Sequence, residues 1–254
     1  MGFKKRIIGM IVVLGDQAVQ SFGYRRYLPL GKPSVLAENL DRWGADEIIV
    51  LSIDRFRSNL GPNIKILQSI AEVVSTPIAY GGGIRNLEDA LSAIHAGADR
   101  LVLDQIFHFN QDEISKIAEV VGSQAVILSL PVVLRENTLF HLDYLSGKLE
   151  ILNPETDTFL KRKSVSEIFL VDYENEGKRN SFNESLLEYF KEIQSVIAFG
   201  GISEPDQMSR ILGKSQVSAV ACGNFLNYRE HSIQNFKQDL GNLVRKPVYK
   251  PYSS

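Results

Sequence analysis

Several carboxylates stand at or just past the ends of apolar runs: Asp16 after "RIIGMIVVLG", Asp54 after "EIIVLSI", Asp104 after "RLVL" and Asp172 within "EIFLVDY". A carboxylate held at a strand end is a candidate general acid or base, provided that it reaches the reacting atom. Two glycine turns follow other runs, Gly81-Gly82-Gly83 and Gly200-Gly201. Glycine lets backbone N–H groups close on an anion such as phosphate, although it also serves any tight strand-to-helix turn. The histidines, His95, His108, His141 and His231, show no metal-ligand spacing. Cys222 is the sole cysteine, which excludes an internal disulfide and a CxxC metal site and fits a reducing compartment. The residues call for no cofactor.

The elements that must position these groups alternate along the chain. Short apolar, β-branched runs occur at 6–13, 47–53, 77–80, 100–103, 125–130, 167–173, 196–199 and 218–222. Strands apolar on both faces belong to a sheet covered on both sides. Amphipathic stretches such as "PSVLAENLDRWG", "NLEDALSAIHAG" and "PDQMSRILG" lie between them. Eight strand–helix units in 254 residues predict a (β/α)8 TIM barrel occupying 1–254 as a single domain, with a doubly wound open sheet as the competing arrangement. The halves repeat: "DEIIVLSID" at 46–54 matches "SEIFLVDYE" at 166–174, and "TPIAYGGGI" at 76–84 matches "QSVIAFGGI" at 194–202. The fixed offset marks a repeated half-barrel. The stretch 132–155 reads as irregular after the fifth strand, with a hairpin insertion at "YLSGKLEI" turning at Ser-Gly.

A formal net charge of -2 gives no footprint for nucleic acid or an anionic membrane. The start "MGFKKRIIGMIVVLG" has a basic end and an apolar run, as signal peptides do. It lacks a small-residue cleavage site and reads as a strand, and the expectation is a cytoplasmic protein.

In order and spacing, "KRII" at 5–8, "GADE" at 44–47, "YGGGIRNLEDA" at 80–90, "GADR" at 97–100, "GSQAV" at 122–126 and "FGGI" at 199–202 resemble the cyclase subunit of imidazole glycerol phosphate synthase, over most of the chain. The resemblance implies a barrel that takes ammonia from a glutaminase docked on its floor. The ammonia passes to a phosphorylated ribulosyl substrate at the top, where one aspartate after strand one and one after strand five do the acid–base work.

Aligned on "KRII" and "GSQAV", those aspartates fall on Val12 and Pro131. Neither can carry a proton, so the catalytic set is empty. The family's strand-one lysine falls on Gln20, and its Asn-Thr-Ala after strand four reads Asp104-Gln105-Ile106. An extra carboxylate there would repel a phosphate by about 1–4 kcal/mol at about 4 Å. Carried over, the anion-binding positions are Gly82 and Gly83 in the first half. In the second they are Gly200, Gly201, Cys222 and Gly223, with Glu176-Gly177 replacing an Asp-Gly.

The floor keeps what the top has lost. A ring of four charges around the ammonia entrance carries over as Arg6, Glu47, Arg100 and Glu167, and Asp46, Asp99 and Gln124 persist beside it. The resemblance makes these residues the ammonia gate and the glutaminase interface. A structural salt-bridge layer is the plainer alternative.

A kept floor and a vacated top look like the second-copy relatives of the cyclase subunit in bacterial surface-polysaccharide clusters, and "LSIDRFRSNLGPN" is nearer to those. In these systems ammonia feeds a separate amidotransferase that makes an acetamidino sugar. The expectation is a non-catalytic, ammonia-conducting barrel subunit of a glutamine-dependent amidotransferase, paired with a glutaminase. The alternatives are an active cyclase using displaced carboxylates, a phosphosugar isomerase and a scaffold barrel.

Overall fold

The computed structural model describes residues 4–152, 164–192, 195–228 and 230–246. Eight parallel strands form the barrel: β1 (Arg6–Leu14), β4 (Glu47–Ser52), β5 (Ile78–Gly81), β6 (Arg100–Leu103), β7 (Val126–Arg135), β10 (Glu167–Asp172), β11 (Val196–Phe199) and β12 (Val217–Cys222). They pair in chain order. The barrel closes because β7 pairs with β10 and β12 pairs with β1. This is the expected (β/α)8 barrel, and the open sheet is excluded.

Strand alternation sorts the apolar residues into two shells. Ile7, Ile11 and Val13 join an outer core against helices such as Pro33–Arg42, Ile64–Ala71 and Leu87–His95. Ile8, Met10, Ile49, Ala79, Val102, Ile127, Phe169 and Ile197 fill the interior, where Phe169 stacks on Phe199 at 5.4 Å between ring centroids. Each fully buried large side chain contributes about 1.5–3 kcal/mol. Asn63, Asn86 and Asn110 start three helices by accepting from the N–H groups of Ile66, Asp89 and Glu113.

The half-barrel repeat is visible in backbone detail. Gly82 and Gly200 hold equivalent positive φ values of 116° and 105°. A Cβ on Gly82 would meet the Ser52 carbonyl oxygen at 2.2 Å, and one on Gly200 would meet the Asp172 carbonyl oxygen at 2.4 Å. Both halves also insert a hairpin after their first strand.

One expectation needs correction. The stretch after 131 is ordered sheet as far as it is described, because β7 runs on to Arg135 and turns through Glu136 and Asn137, both at positive φ, into β8 (Thr138–Asp143). Such a two-residue turn matches the twist of the flanking strands. β9 (Lys148–Ile151) then follows the expected Ser146-Gly147 turn; 153–155 lie outside the described residues. The matching insertion after β1, β2 (Gln17–Phe22) with β3 (Arg26–Gly31), was not anticipated. Its signal was the apolar alternation of "QAVQSF" before a Gly-Tyr turn.

Candidate functional site

At the floor, the first inward residues of β1, β4, β6 and β10 are Arg6, Glu47, Arg100 and Glu167. They form a closed ring of ion pairs. Arg6 reaches Glu47 at 2.7 Å and Glu167 at 2.5 Å, and Arg100 reaches the same two carboxylates at 3.0 and 2.6 Å. Glu167 also accepts from the Ser195 and Ser218 hydroxyls. Burial opposes its charge, but the two guanidiniums and the Ser218 hydroxyl outweigh it and hold the carboxyl at about 2. Burial pushes Glu47 up against the pull of both arginines.

The flanking residues divide. Asp46 accepts from the Ile7 N–H and forms a buried ion pair with Lys237 at 2.8 Å. Asp99 accepts from the Ile78 N–H at 2.8 Å. Both carboxylates therefore finish strand starts, whatever else they contact. Gln124 stands exposed just before β7, and its carbonyl accepts from Arg100 Nε at 3.1 Å and from the Ser166 hydroxyl at 3.2 Å.

At the other end of the barrel a cavity of about 240 Å³ opens beneath the two inserted hairpins. Pro131, Val171, Leu51 and Val102 line its apolar part, and Tyr24, Tyr27, Tyr144 and Arg57 wall it. Val12 lies within the apolar interior, paired to Val19 of β2. Gln20, next along β2, is buried on the face opposite to Val19. Of the four strand-end carboxylates only Asp54 and Asp104 line this cavity. Asp172 is turned away, accepting from Asn175 Nδ2 and the Asn183 N–H, and Asp16 is exposed.

Asp104 faces the cavity with Ser129 and Gln105 as donors. Burial pushes its carboxyl up to about 7 against those hydrogen bonds. A carboxyl raised by folding stabilises the fold when protonated. Its contribution is whole below the ordinary 3.8, fades as pH rises toward 7 and is gone above it. Asp104→Asn should therefore gain stability over the parent between pH 4 and 7, by on the order of a few kcal/mol at pH 8. Thermal melts that stay parallel across that range would contradict the assignment.

The two glycine turns expected to bind an anion are filled by the chain itself to different degrees. Gly82 borders the mouth cavity, whereas Gly83 packs on the Leu60 and Gly61 carbonyls. Arg85 Nη1 donates to the Leu60 carbonyl and holds that loop down. In the second half, Gly177, Gly201 and Gly223 surround a space of only about 10 Å³, and Cys222 turns its thiol into the outer core. Glu176 is buried and accepts from the Ser21 hydroxyl at 2.9 Å and the Tyr24 N–H, so it fastens the first hairpin. The tyrosine wall and Arg57 escaped the sequence reading because they come from three separate loops.

Histidines separated by 33 positions do meet: His141 on β8 and His108 on the helix Ile106–Phe109. The lack of metal-ligand spacing along the chain did not foresee that contact.

An eight-stranded barrel with a charged floor and a small-molecule cavity at the strand ends is the architecture of (β/α)8 enzymes and their subunits. Residues 6–232 match the family described as "Histidine biosynthesis protein", and the chain belongs to it. Among its relatives, one named "Putative imidazole glycerol phosphate synthase subunit hisF2", from Vibrio vulnificus, is 30% identical over 94% of this chain and 89% of its own length. Imidazole glycerol phosphate synthase subunit HisF of Bacillus licheniformis is 26% identical over 92% of this chain and 94% of its own. That of Bacillus subtilis is 26% identical over 93% and 96%. Among the described residues no helix is long and apolar enough to cross a membrane.

Proposed function

We propose that this chain is an ammonia-conducting barrel subunit that pairs with a glutaminase at its floor and performs no cyclase chemistry of its own. The observation that carries this reading is the pairing of an intact floor ring with Pro131 in the mouth and Val12 in the apolar interior beneath β2, where the family resemblance would put acid–base groups. Above the ring the lining is Ile8, Ile49, Val102, Ile127 and Ile197. Neutral ammonia can cross such a lining, whereas ammonium would pay a large desolvation cost. In the free subunit the ring is shut, so docking must supply the movement of one guanidinium. The acceptor is a separate ammonia-dependent amidotransferase, and the residue-level likeness favours acetamidino modification of a surface-polysaccharide sugar.

The test uses a glutaminase that co-purifies with this chain. Adding the chain should raise glutamine hydrolysis about 5–150-fold, the usual size of a coupling between sites. Gln124→Lys should abolish most of that rise and leave the melting temperature unchanged, since exposed substitutions stay within about 0.5 kcal/mol. No stimulation by the parent chain would end the proposal.

One observation favours a second reading, an active cyclase with a displaced catalytic group. Asp104 lies in the mouth with a carboxyl poised at about 7, suited to give and take a proton at neutral pH.

A further inference from the structure

His108 and His141 present their Nε2 atoms to each other at 2.6 Å. The rings are nearly parallel, at 22° with centroids 4.1 Å apart. An in-line N–H···N bond between two five-membered rings would hold the centroids farther apart than this, because each ring's radius adds to the contact. The rings are therefore stacked with an offset that brings the two Nε2 atoms together at one edge of the pair. Glu150 is the direct cross-strand neighbour of His141 on β9, which puts both side chains on one face of the hairpin. One ligand atom from each of the three residues falls within 4.8 Å of the others. His141 is buried, His108 nearly so, and the exposed Glu150 carboxylate comes to 3.9 Å from His108 Nδ1.

We propose that His108, His141 and Glu150 form a site for a divalent transition metal of the zinc class, which pins the β8–β9 hairpin to the helix beside the mouth. Two imidazoles and one carboxylate are a donor set that zinc takes, with water in the fourth position. Zinc–nitrogen bonds of about 2.0–2.1 Å require the two nitrogens to part by less than about 1 Å, a small rotation of either ring. Burial lowers both histidines, His141 to about 4 with the neighbouring His108 ring adding to the effect, so both rings are neutral ligands at pH 7. The site lies on the outer side of β8, away from the cavity lined by Leu142, so it concerns the roof and not the contents of the mouth.

The test uses full-length protein without a histidine tag, stripped with chelator and titrated with zinc chloride. Calorimetry and elemental analysis should give one zinc per chain, and the melting temperature should climb with zinc concentration. Cobalt in place of zinc should give the visible absorption of a four-coordinate ion. Loss of an outer-shell partner costs metal sites about 10–100-fold, so His141→Ala and His108→Ala should each cost at least about 100-fold in affinity. Exposed Glu150→Ala, which leaves the core intact, should cost at least about 10-fold. His95→Ala and His231→Ala should bind as the parent does. The proposal is overturned if the parent takes up no zinc, or if Glu150→Ala and a folded His141→Ala bind it as tightly as the parent.

Discussion

Purified, with free ammonium and the phosphorylated ribulosyl substrate of the synthase, this chain should show no cyclase turnover, and its gene should not rescue a strain lacking the cyclase subunit. Each missing proton-transfer group costs about 10²–10⁴-fold, and Val12 and Pro131 remove two. The surroundings have changed with them. β2 covers Val12, and the cavity beside Pro131 is walled by tyrosines and bordered by Asp54 and Asp104. Val12→Asp with Pro131→Asp should consequently leave turnover far below that of an authentic cyclase, because Gln20 and Asp104 still replace the lysine and asparagine that the family resemblance expects there. Growth of the deletion strain on this gene alone would refute the non-catalytic reading. If Asp104→Asn then abolished that growth, the displaced-carboxylate cyclase would stand in its place.

Glu167→Ala should destabilise the barrel by about 3–5 kcal/mol, the usual result of removing one partner from a buried ion pair. Arg6 and Arg100 would each lose a carboxylate, and the Ser195 and Ser218 hydroxyls would lose their shared acceptor. Chemical denaturation measures the loss directly, and the pH profile identifies its origin. A carboxyl held at about 2, below its ordinary 4.5, contributes stability that is whole above pH 4.5 and is lost as pH falls toward 2. The parent should therefore weaken over that window more steeply than Glu167→Ala. Equal slopes would show that the ring's charge is not what holds the floor. Glutaminase stimulation separates structure from conduction: a folded Glu167→Ala that stimulates and delivers ammonia as the parent does would reduce the ring to a structural layer.

The strand positions were readable because a strand buried on both faces has to be apolar throughout, and eight such runs at regular spacing leave few architectures. The half-barrel offset was readable for a related reason. Gly82 and Gly200 meet the same backbone obstacle in each half, so the same residue recurs. Membership of the ring was legible through the resemblance, but not its closure, since which guanidinium reaches which carboxylate depends on barrel stagger. Asp46, Asp99 and Glu176 read as surface or ligand-facing charges, yet their carboxylates satisfy backbone N–H groups inside the fold. Burial of a charge depends on what packs over it, and that comes from remote chain. The inserted hairpins went furthest beyond the sequence. Turn geometry at Glu136-Asn137 and Gly23-Tyr24 folds them over the mouth, and only that folding brings Tyr24 and Tyr144 around Asp104 and sets His141 beside His108. What the sequence determined by itself was the barrel and its repeat, because these follow from local apolar pattern; the reading of Val12 and Pro131 came through the family resemblance. What the tertiary structure alone decided was which charges are buried, which histidines meet and what closes the cavity, because those depend on contacts between segments far apart in the chain.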